Sequence, residues 1–190
     1  MILIVDMNWK KDSLGYFEFV LPIARIVEPL DRFTIKHYSE IGEKDIDPCE
    51  KIILSGTALK DNTALSQPEK FQWLKLTKKP LLGICAGMET IGIVYGMPVI
   101  QCVEIGMTQI STLRANQLFK GDFRAYSLHS LCVEPSLQFD VLAKSPQCVQ
   151  AIKHKSKEIY GVLFHPEVRN QEVLKNFIID NTFFVQKSEN

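Results

Sequence analysis

The sequence lacks any long hydrophobic run, which argues against a membrane-spanning helix. No stretch of its 190 residues approaches the roughly 18 apolar residues that a helix needs to cross a bilayer. The N-terminus also lacks the basic start, apolar stretch and small-residue cleavage site of a signal peptide. We therefore expect a cytoplasmic protein with no membrane partner.

The chain also lacks a net charge. Lys and Arg together number 22, as do Asp and Glu, so the formal charge at pH 7 is zero. A balanced charge argues against electrostatic capture of nucleic acid or of an anionic membrane surface. We expect no nucleic-acid partner, although a local basic patch is compatible with this composition.

The cysteines show no disulfide or metal pattern, because the five of them are odd in number, scattered and free of C-x-x-C spacing. Neither a disulfide framework nor a zinc site is therefore expected, and no metal or organic cofactor is indicated. Most of these cysteines are expected to be small buried residues. They are Cys49, Cys85, Cys102, Cys132 and Cys148.

The chain contains no internal repeat, low-complexity tract or linker, so residues 1–190 are expected to form one domain. In the first half, short apolar runs alternate with helical patterns, which predicts a parallel sheet with helices on both faces. The predicted strands are residues 2–5, 33–37, 51–54 and 80–84. The predicted helices are residues 14–27, 68–76 and 88–95.

The second half has a different pattern, with short β-like runs separated by turn residues. We expect some of these runs to join the main sheet and others to form hairpins beside it, as a small antiparallel extension. They are residues 103–105, 108–113, 123–127, 131–133, 139–143, 149–152 and 160–164. A last helix is predicted over residues 168–179, and residues 189 and 190 are expected to be frayed.

Cys85 differs from the other cysteines because it follows an apolar strand in the pattern G-x-C-x-G, residues 83–87. The same pattern with serine is a nucleophile elbow, a tight strand-to-helix turn that presents the reactive side chain. Glycines suit this turn because side chains there would collide with the neighbouring strand and helix. The helix N-terminus would favour a thiolate. The alternative is a buried cysteine flanked by packing glycines.

A cysteine nucleophile needs a base, and His165 is the best placed of the four histidines. It follows a predicted strand, where a parallel sheet binds its ligands, and Glu167 two residues later could fix its tautomer. Alternatively, His165 is a surface histidine beside a glutamate that starts a helix. His37 and His154 are better explained as structural or solvated residues, and His129 is intermediate.

Four segments of the chain resemble class I, triad-type, glutamine amidotransferases. Residues 83–88, G-I-C-A-G-M, are similar to the nucleophile segment of that family, and residues 160–168, Y-G-V-L-F-H-P-E-V, to its histidine-glutamate segment. Residues 52–56, I-I-L-S-G, resemble the turn before the oxyanion loop, and residues 104–106, E-I-G, the segment after the elbow helix. The resemblance covers nearly the whole chain and implies an open, mostly parallel, flavodoxin-like α/β sheet.

The resemblance implies hydrolysis of glutamine through a Cys-His-Glu triad. Cys85 would attack the carboxamide carbon to form a γ-glutamyl thioester, while His165 moves the protons and later activates water. Glu167 would orient the imidazole. The backbone N–H of Ala86 and a donor from the loop at residues 56–57 would form the oxyanion hole, and one such donor is typically worth about 3 to 4 kcal/mol.

Three positions depart from the family pattern. The oxyanion loop usually reads Ser-Gly-Gly-Pro, whereas residues 55–58 read S-G-T-A. Gly56 is therefore followed by β-branched Thr57, for which a positive φ would be strained. Glu89 replaces a usual substrate-binding glutamine, and its charge would repel the substrate carboxylate but attract an amino group. Leu163 replaces a frequent glutamine, a change that we regard as minor.

The resemblance also implies a partner, because a domain that releases ammonia is useful beside an acceptor enzyme. No segment resembles a nucleotide-binding or synthetase domain, so a separate synthase subunit is expected. Residues 149–168 look most like the free-standing amidotransferase subunit of GMP synthase. Residues 127–131, S-L-H-S-L, instead resemble a segment of anthranilate and aminodeoxychorismate synthase amidotransferases, which implies substrate contacts from Ser130 and Leu131. His129 is alternatively a packing or interface residue.

Other functions stay open at this point. Thr57 and Glu89 favour either an amidase whose oxyanion loop is set by a partner or a γ-glutamyl hydrolase or peptidase on the same fold. A non-catalytic binding or regulatory subunit derived from the fold is the third hypothesis.

Overall fold

The computed structural model describes residues 1–179, so the predicted frayed end at residues 189 and 190 lies outside the described residues. Nine strands are present in this part of the chain. They are β1 Ile2–Asp6, β2 Phe33–His37, β3 Lys51–Leu54, β4 Leu81–Ile84, β5 Val99–Thr112, β6 Phe123–Val133, β7 Phe139–Lys144, β8 Val149–His154 and β9 Ile159–Val162. Their order in the sheet is β2-β1-β3-β4-β9-β8-β7-β5-β6.

The helices lie mostly in the first half. They are α1 Leu21–Val27, α2 Glu43–Ile46, α3 Trp73–Leu76, α4 Ala86–Val94 and α5 Glu172–Ile178. A π-helical turn, Tyr16–Val20, leads into α1, and 3-10 turns occur at Tyr38–Glu40 and Pro68–Phe71. None of the helices within residues 1–179 has the length and apolar character needed to cross a bilayer.

The parallel half of the sheet has helices on both faces, as the sequence predicts. Strands β2, β1, β3, β4 and β9 pair in parallel. In β1, Ile2 and Ile4 enter the core shared with α1 and α5, whereas Leu3 and Val5 enter the core shared with α3 and α4. Because both faces are covered, the strands are continuous apolar runs rather than alternating ones.

The antiparallel half is larger than the small extension predicted from the sequence. Strands β8, β7, β5 and β6 continue the same sheet with antiparallel pairing. β5 has 14 residues and β6 has 11, and each joins two of the predicted runs. Gly106, which looks like a turn residue, is paired with Ser127 in the middle of this hairpin. Cross-strand pairing therefore overrides the local turn preference.

The last helix begins later than predicted, at Glu172 instead of residue 168. The N–H groups of Val168 and Arg169 bond to the carbonyl of His165 in a separate turn. Asn170 then has a φ of 72°, a left-handed conformation that a helix does not accommodate. The segment that carries His165 is thus held apart from α5.

Candidate active site

The turn at Cys85 links β4 directly to α4 and has the backbone of a nucleophile elbow. The N–H of Cys85 donates to the carbonyl of Val162 at 2.8 Å, and α4 begins at the next residue. Cys85 has φ 48° and ψ −107°, in a region that costs a non-glycine residue about 1–3 kcal/mol. Strain of this kind is typical of functional sites, and here it fixes the direction of the thiol.

The glycines on either side of Cys85 are required by close packing, which confirms the collisions predicted from the sequence. A Cβ atom on Gly83 would lie 2.5 Å from the backbone of Gly87 in α4. A Cβ atom on Gly87 would lie 2.7 Å from the carbonyl oxygen of Leu54 in β3. The elbow therefore fits between the strand and the helix only without these side chains.

His165 lies against the elbow and is held by a carboxylate. Its Nδ1 is 2.6 Å from Oε1 of Glu167, and both side chains are fully buried. The N–H of His165 donates to the carbonyl of Tyr126 at 2.8 Å, which attaches the loop after β9 to β6. Within residues 1–179, the Nε2 atom of the imidazole has no hydrogen-bond partner. Glu167 thus orients the imidazole through Nδ1, and Nε2 is available to accept a proton.

Gly56 lies close to both the imidazole of His165 and the side chain of Cys85. A Cβ atom at this position would lie 2.6 Å from Cε1 of His165 and 3.5 Å from Cβ of Cys85. The glycine after β3 thus brings the backbone of the 56–57 loop against both reacting side chains. The structure therefore brings Cys85, His165, Glu167 and Gly56 into one cluster at the carboxyl ends of three parallel strands.

Charges within this cluster act on each other. Burial raises the pKa of the Cys85 thiol, and the imidazole of His165 partly offsets that rise. Burial also lowers the pKa of His165, but Glu167 and Cys85 outweigh burial and keep that pKa well above its ordinary value. The imidazole is therefore suited to hold the proton that the thiol gives up.

A small cavity lies beside the thiol. It is lined by Thr57, Ala58, Leu59, Asn62, Cys85, Glu89, Leu128, His129 and Ser130. Leu131 does not line it, although the sequence predicts a substrate contact there. The cavity volume is about 10 Å³, which is roughly the room for one water molecule. This space is therefore far smaller than a glutamine molecule.

Thr57 does not adopt the strained backbone that the family pattern would require of it. Cys85, Asp12 and Asn170 are the non-glycine residues with positive φ in the described part of the chain. The hydroxyl of Thr57 donates to the carbonyl of Asp61 at 3.0 Å. The side chain therefore fastens the loop instead of straining it.

Glu89 is buried in the first turn of α4 and borders the cavity. Burial raises its pKa to about 8, against a smaller opposite effect of His165. At pH 7 the carboxyl is therefore mostly neutral. The repulsion of a substrate carboxylate that the sequence predicts is correspondingly weak at this pH.

Two backbone contributions to the site are not visible in the sequence. The Cys85 thiol donates to the carbonyl of Leu128 at 3.6 Å, and the Ser130 hydroxyl donates to the carbonyl of Leu59 at 3.3 Å. Both link the first half of the chain to β6. Backbone acceptors carry no side-chain signature, so a motif search has no means of finding them.

The fold and this cluster define a class I glutamine amidotransferase. The model of that family matches residues 19–184, and the chain belongs to the family. The sequence resemblance to the family and the predicted α/β fold class are therefore confirmed.

Curated relatives narrow the comparison. The A subunit of GMP synthase (glutamine-hydrolyzing) from Methanocaldococcus jannaschii is 41% identical over 111 residues, which cover 53% of this chain and 59% of the relative. The protein of the same name from Saccharolobus solfataricus is 37% identical over 117 residues, or 56% of this chain and 62% of the relative. The match thus spans about three fifths of the length of these relatives.

Solved structures share the fold. A Thermoplasma acidophilum protein, assigned as the A subunit of a GMP synthase, superimposes with a TM-score of 0.81 over 94% of this chain and 92% of its own, at 23% identity. A glutamine amidotransferase of Thermotoga maritima gives a TM-score of 0.69 over 98% and 84%, at 19% identity. At these identities the likeness establishes the architecture alone.

Proposed function

We propose that this chain, acting as one domain, hydrolyses glutamine and supplies the ammonia to a separate synthase subunit of the GMP synthase type. The observation that carries the proposal is the positive φ of Cys85 at a strand-to-helix turn, beside the buried His165. Nδ1 of His165 is 2.6 Å from Oε1 of Glu167. Kinship with glutamine-hydrolyzing subunits of GMP synthase supports the choice of acceptor.

The reaction starts with transfer of the Cys85 thiol proton to Nε2 of His165, the nitrogen not engaged by Glu167. The sulfur then attacks the carboxamide carbon, and collapse of the tetrahedral intermediate breaks the C–N bond. The imidazolium returns its proton to the leaving nitrogen, which departs as ammonia. In the second half, His165 takes a proton from water, the hydroxide cleaves the thioester, and glutamate and the free thiol are released.

The developing oxyanion needs donors that are already in place. The N–H of Ala86 is at the first position of α4 and has no partner inside the helix. The 56–57 loop also lies close to Cys85, and we assign the second donor to it. Loss of one such donor typically costs about 3–4 kcal/mol of barrier.

Substrate binding requires opening of the cavity, whose walls include Glu89 and Ser130. A neutral Glu89 carboxyl has both a hydrogen-bond donor and an acceptor, as would the side-chain amide of the glutamine that the family usually has at this position. We assign it, with Ser130, to holding the amino-acid part of the substrate. A synthase subunit that contacts the 55–66 loop would open this space and so switch the amidase on.

The function is tested by labelling with a glutamine analogue that carries an electrophilic carbon. Wild-type protein should gain one covalent adduct on Cys85, excess glutamine should slow its formation, and Cys85→Ala should give none. A matched Cys49→Ala variant, which removes another buried cysteine, should label normally. Labelling that glutamine does not slow, or that persists in Cys85→Ala, contradicts the proposal.

The acceptor is tested separately with the synthase subunit. Release of ammonia from glutamine should increase when that subunit is added together with its nucleotide substrates, and GMP should form with glutamine as the only nitrogen source. Ammonia release without any GMP would refute the assignment of the acceptor but leave the amidase intact.

A γ-glutamyl hydrolase or peptidase is the second candidate, favoured by the presence of both Thr57 and Glu89 on the wall of the cavity. It predicts faster turnover of γ-glutamyl peptides than of glutamine. Equal or faster turnover of glutamine by the same preparation rejects it.

A further inference from the structure

Four side chains that can bind a metal meet behind one wall of the active-site cavity. Cys102 and Glu104 belong to β5, His129 to β6, and Cys148 immediately precedes β8. One sulfur, oxygen or nitrogen atom from each lies within 4.8 Å of the others. Glu104 and His129 are buried, and the two cysteines are half-buried. The four residues are called the Cys102–Cys148 cluster below.

The strand register explains why the sequence does not predict this cluster. Glu104 and His129 are direct partners across the β5–β6 hairpin, and the register shifts between Gln101 and Glu104. Irregularities of this kind redirect side chains. The turn before β8 adds Cys148, whose carbonyl accepts from the N–H of Ser145 at 2.9 Å. No two of the cysteines have the C-x-x-C spacing on which the expectation of no zinc site was based.

The distances within the cluster suit a tetrahedral ion. Oε2 of Glu104 is 3.2 Å from Nε2 of His129 and 3.6 Å from Sγ of Cys148. In a tetrahedral zinc site the bond lengths imply separations of about 3.3 Å between oxygen and nitrogen ligands and about 3.6 Å between oxygen and sulfur ligands. Glu104, His129 and Cys148 are therefore close to a binding arrangement, and the sulfur of Cys102 lies within 4.8 Å of their ligand atoms.

Neighbouring groups orient these ligands. Nδ1 of His129 is 3.0 Å from the carbonyl of Cys102, a contact that directs Nε2 toward the cluster. The buried amide of Gln150 donates to Oε2 of Glu104 at 2.6 Å and to Sγ of Cys148 at 3.3 Å, and its nitrogen is 3.4 Å from Nε2 of His129. The Ser145 hydroxyl also donates to Oε2 at 3.1 Å. Such outer hydrogen bonds are typical around metal ligands.

We propose that Cys102, Glu104, His129 and Cys148 bind one soft divalent transition-metal ion, with Zn²⁺ as the best match to this ligand set. Two sulfurs and an imidazole favour zinc over magnesium or calcium, which prefer oxygen ligands. On binding, the two thiols release two protons to solvent and the ion takes their place. The Gln150 amide then donates to the Cys148 thiolate.

An ion at this position would hold one wall of the cavity beside Cys85 in place. Leu128 and Ser130 flank His129 on β6, and both line the cavity beside Cys85. An ion that fixes His129 therefore fixes the strand whose carbonyl accepts from the Cys85 thiol. The ion acts on the shape of this wall and takes no part in the chemical steps.

Binding is tested with Co²⁺ as the probe, in a Cys85→Ala background that removes the reactive thiol. Fully reduced, chelator-treated protein should take up one Co²⁺ per chain, with a sulfur-to-cobalt charge-transfer band and the intense visible bands of a tetrahedral site. Binding of either ion to the metal-free protein should release two protons per chain, and Zn²⁺ should displace the Co²⁺ without further proton release. Reduced, folded protein that takes up neither ion overturns the proposal.

Cysteine variants test which side chains bind the ion. Adding Cys102→Ser and Cys148→Ser should lower the affinity for Co²⁺ by at least about a hundredfold and abolish the charge-transfer band. Adding Cys49→Ser, a buried cysteine elsewhere in the chain, should change neither. If the double variant does not fold by circular dichroism, Cys148→Ser alone should reduce the charge-transfer intensity by about half. Unchanged binding in the folded cysteine variants refutes the assignment.

Discussion

Replacing Glu89 by glutamine removes a titrating group from the wall of the Cys85 cavity while keeping its length and shape. Glu89 lies four residues after Cys85 on α4 and is 4% exposed. Its pKa is raised to about 8 by burial, and its negative charge would raise the pKa of the Cys85 thiol. An ionised Glu89 therefore opposes both the thiolate and the oxyanion, whereas a neutral one does not.

The expected size of the effect follows from the titration. With a pKa of about 8, roughly 90% of the Glu89 carboxyl is neutral at pH 7 and roughly 10% at pH 9. If the ionised form does not react, the ratio of kcat/KM for glutamine in wild type to that in Glu89→Gln should fall about tenfold between these pH values. The ratio largely cancels the titration of Cys85 and His165, which both proteins share.

Stability provides an independent measure of the same pKa. The folded-state pKa of Glu89 lies above its ordinary value of 4.5, so the unfolded chain loses this proton first as the pH rises. The free energy of unfolding should therefore decrease between about pH 4.5 and pH 8, by at most about 5 kcal/mol at about 1.36 kcal/mol per pH unit. Glu89→Gln should lack this decrease.

The assays are initial rates of ammonia release from pH 6.5 to 9, with the synthase subunit present, and urea unfolding at pH 5 and pH 8. Glu134→Gln, at an exposed glutamate, is the control and should follow wild type in both. The reasoning is refuted if wild type and Glu89→Gln have parallel pH–rate profiles and lose the same stability between pH 5 and pH 8.

Substitutions at three further positions test separate parts of the site. Gly87→Ala places a methyl group 2.7 Å from β3 and should lower the free energy of unfolding by about 1–3 kcal/mol, measured in urea. Glu167→Gln removes the charge that raises the pKa of His165, so this pKa should fall in a pH–rate profile. The value of kcat/KM should drop by about 10²–10⁴. Glu167→Asp keeps the charge and should recover part of this loss. Thr57→Val removes the hydrogen bond to the carbonyl of Asp61 and should lower the free energy of unfolding by about 1 kcal/mol. If Thr57 instead had a strained φ, Thr57→Gly would relieve that strain and stabilise the protein, which would contradict this account.

The parallel half of the fold could be predicted because its signals are local. The continuous apolar runs at β1 and β4 and the glycine pattern around Cys85 each lie within a few residues. Both strands of the β5–β6 hairpin were predicted as separate short runs, and in β5 the break falls at Gly106, which looks like a turn residue. The pairing of Gly106 with Ser127 depends on contacts more than twenty residues apart, which no local window contains.

Some residues of the candidate site could be predicted from the sequence, and others could not. Cys85, His165 and Glu167 occur in motifs whose chemistry requires those side chains, and the fold brings these three together. The protonation of Glu89 could not be predicted, since its raised pKa results from burial in the folded chain, which the local sequence does not reveal. The Cys102–Cys148 cluster was not predicted, because its cysteines lack C-x-x-C spacing and their approach depends on the register of strands distant in sequence.

The small cavity beside Cys85 relates the chemistry proposed for this chain to its proposed dependence on a partner. The reacting side chains are assembled and strained into place, yet the space beside Cys85 holds about one water molecule. Two residues of the wall are held by single hydrogen bonds, from Thr57 to the carbonyl of Asp61 and from Ser130 to that of Leu59, each worth about 1 kcal/mol. Contacts from a synthase subunit would exceed so small a cost. Ammonia production would then begin only where an acceptor is bound, because the same contact that opens the loop brings the acceptor to the site.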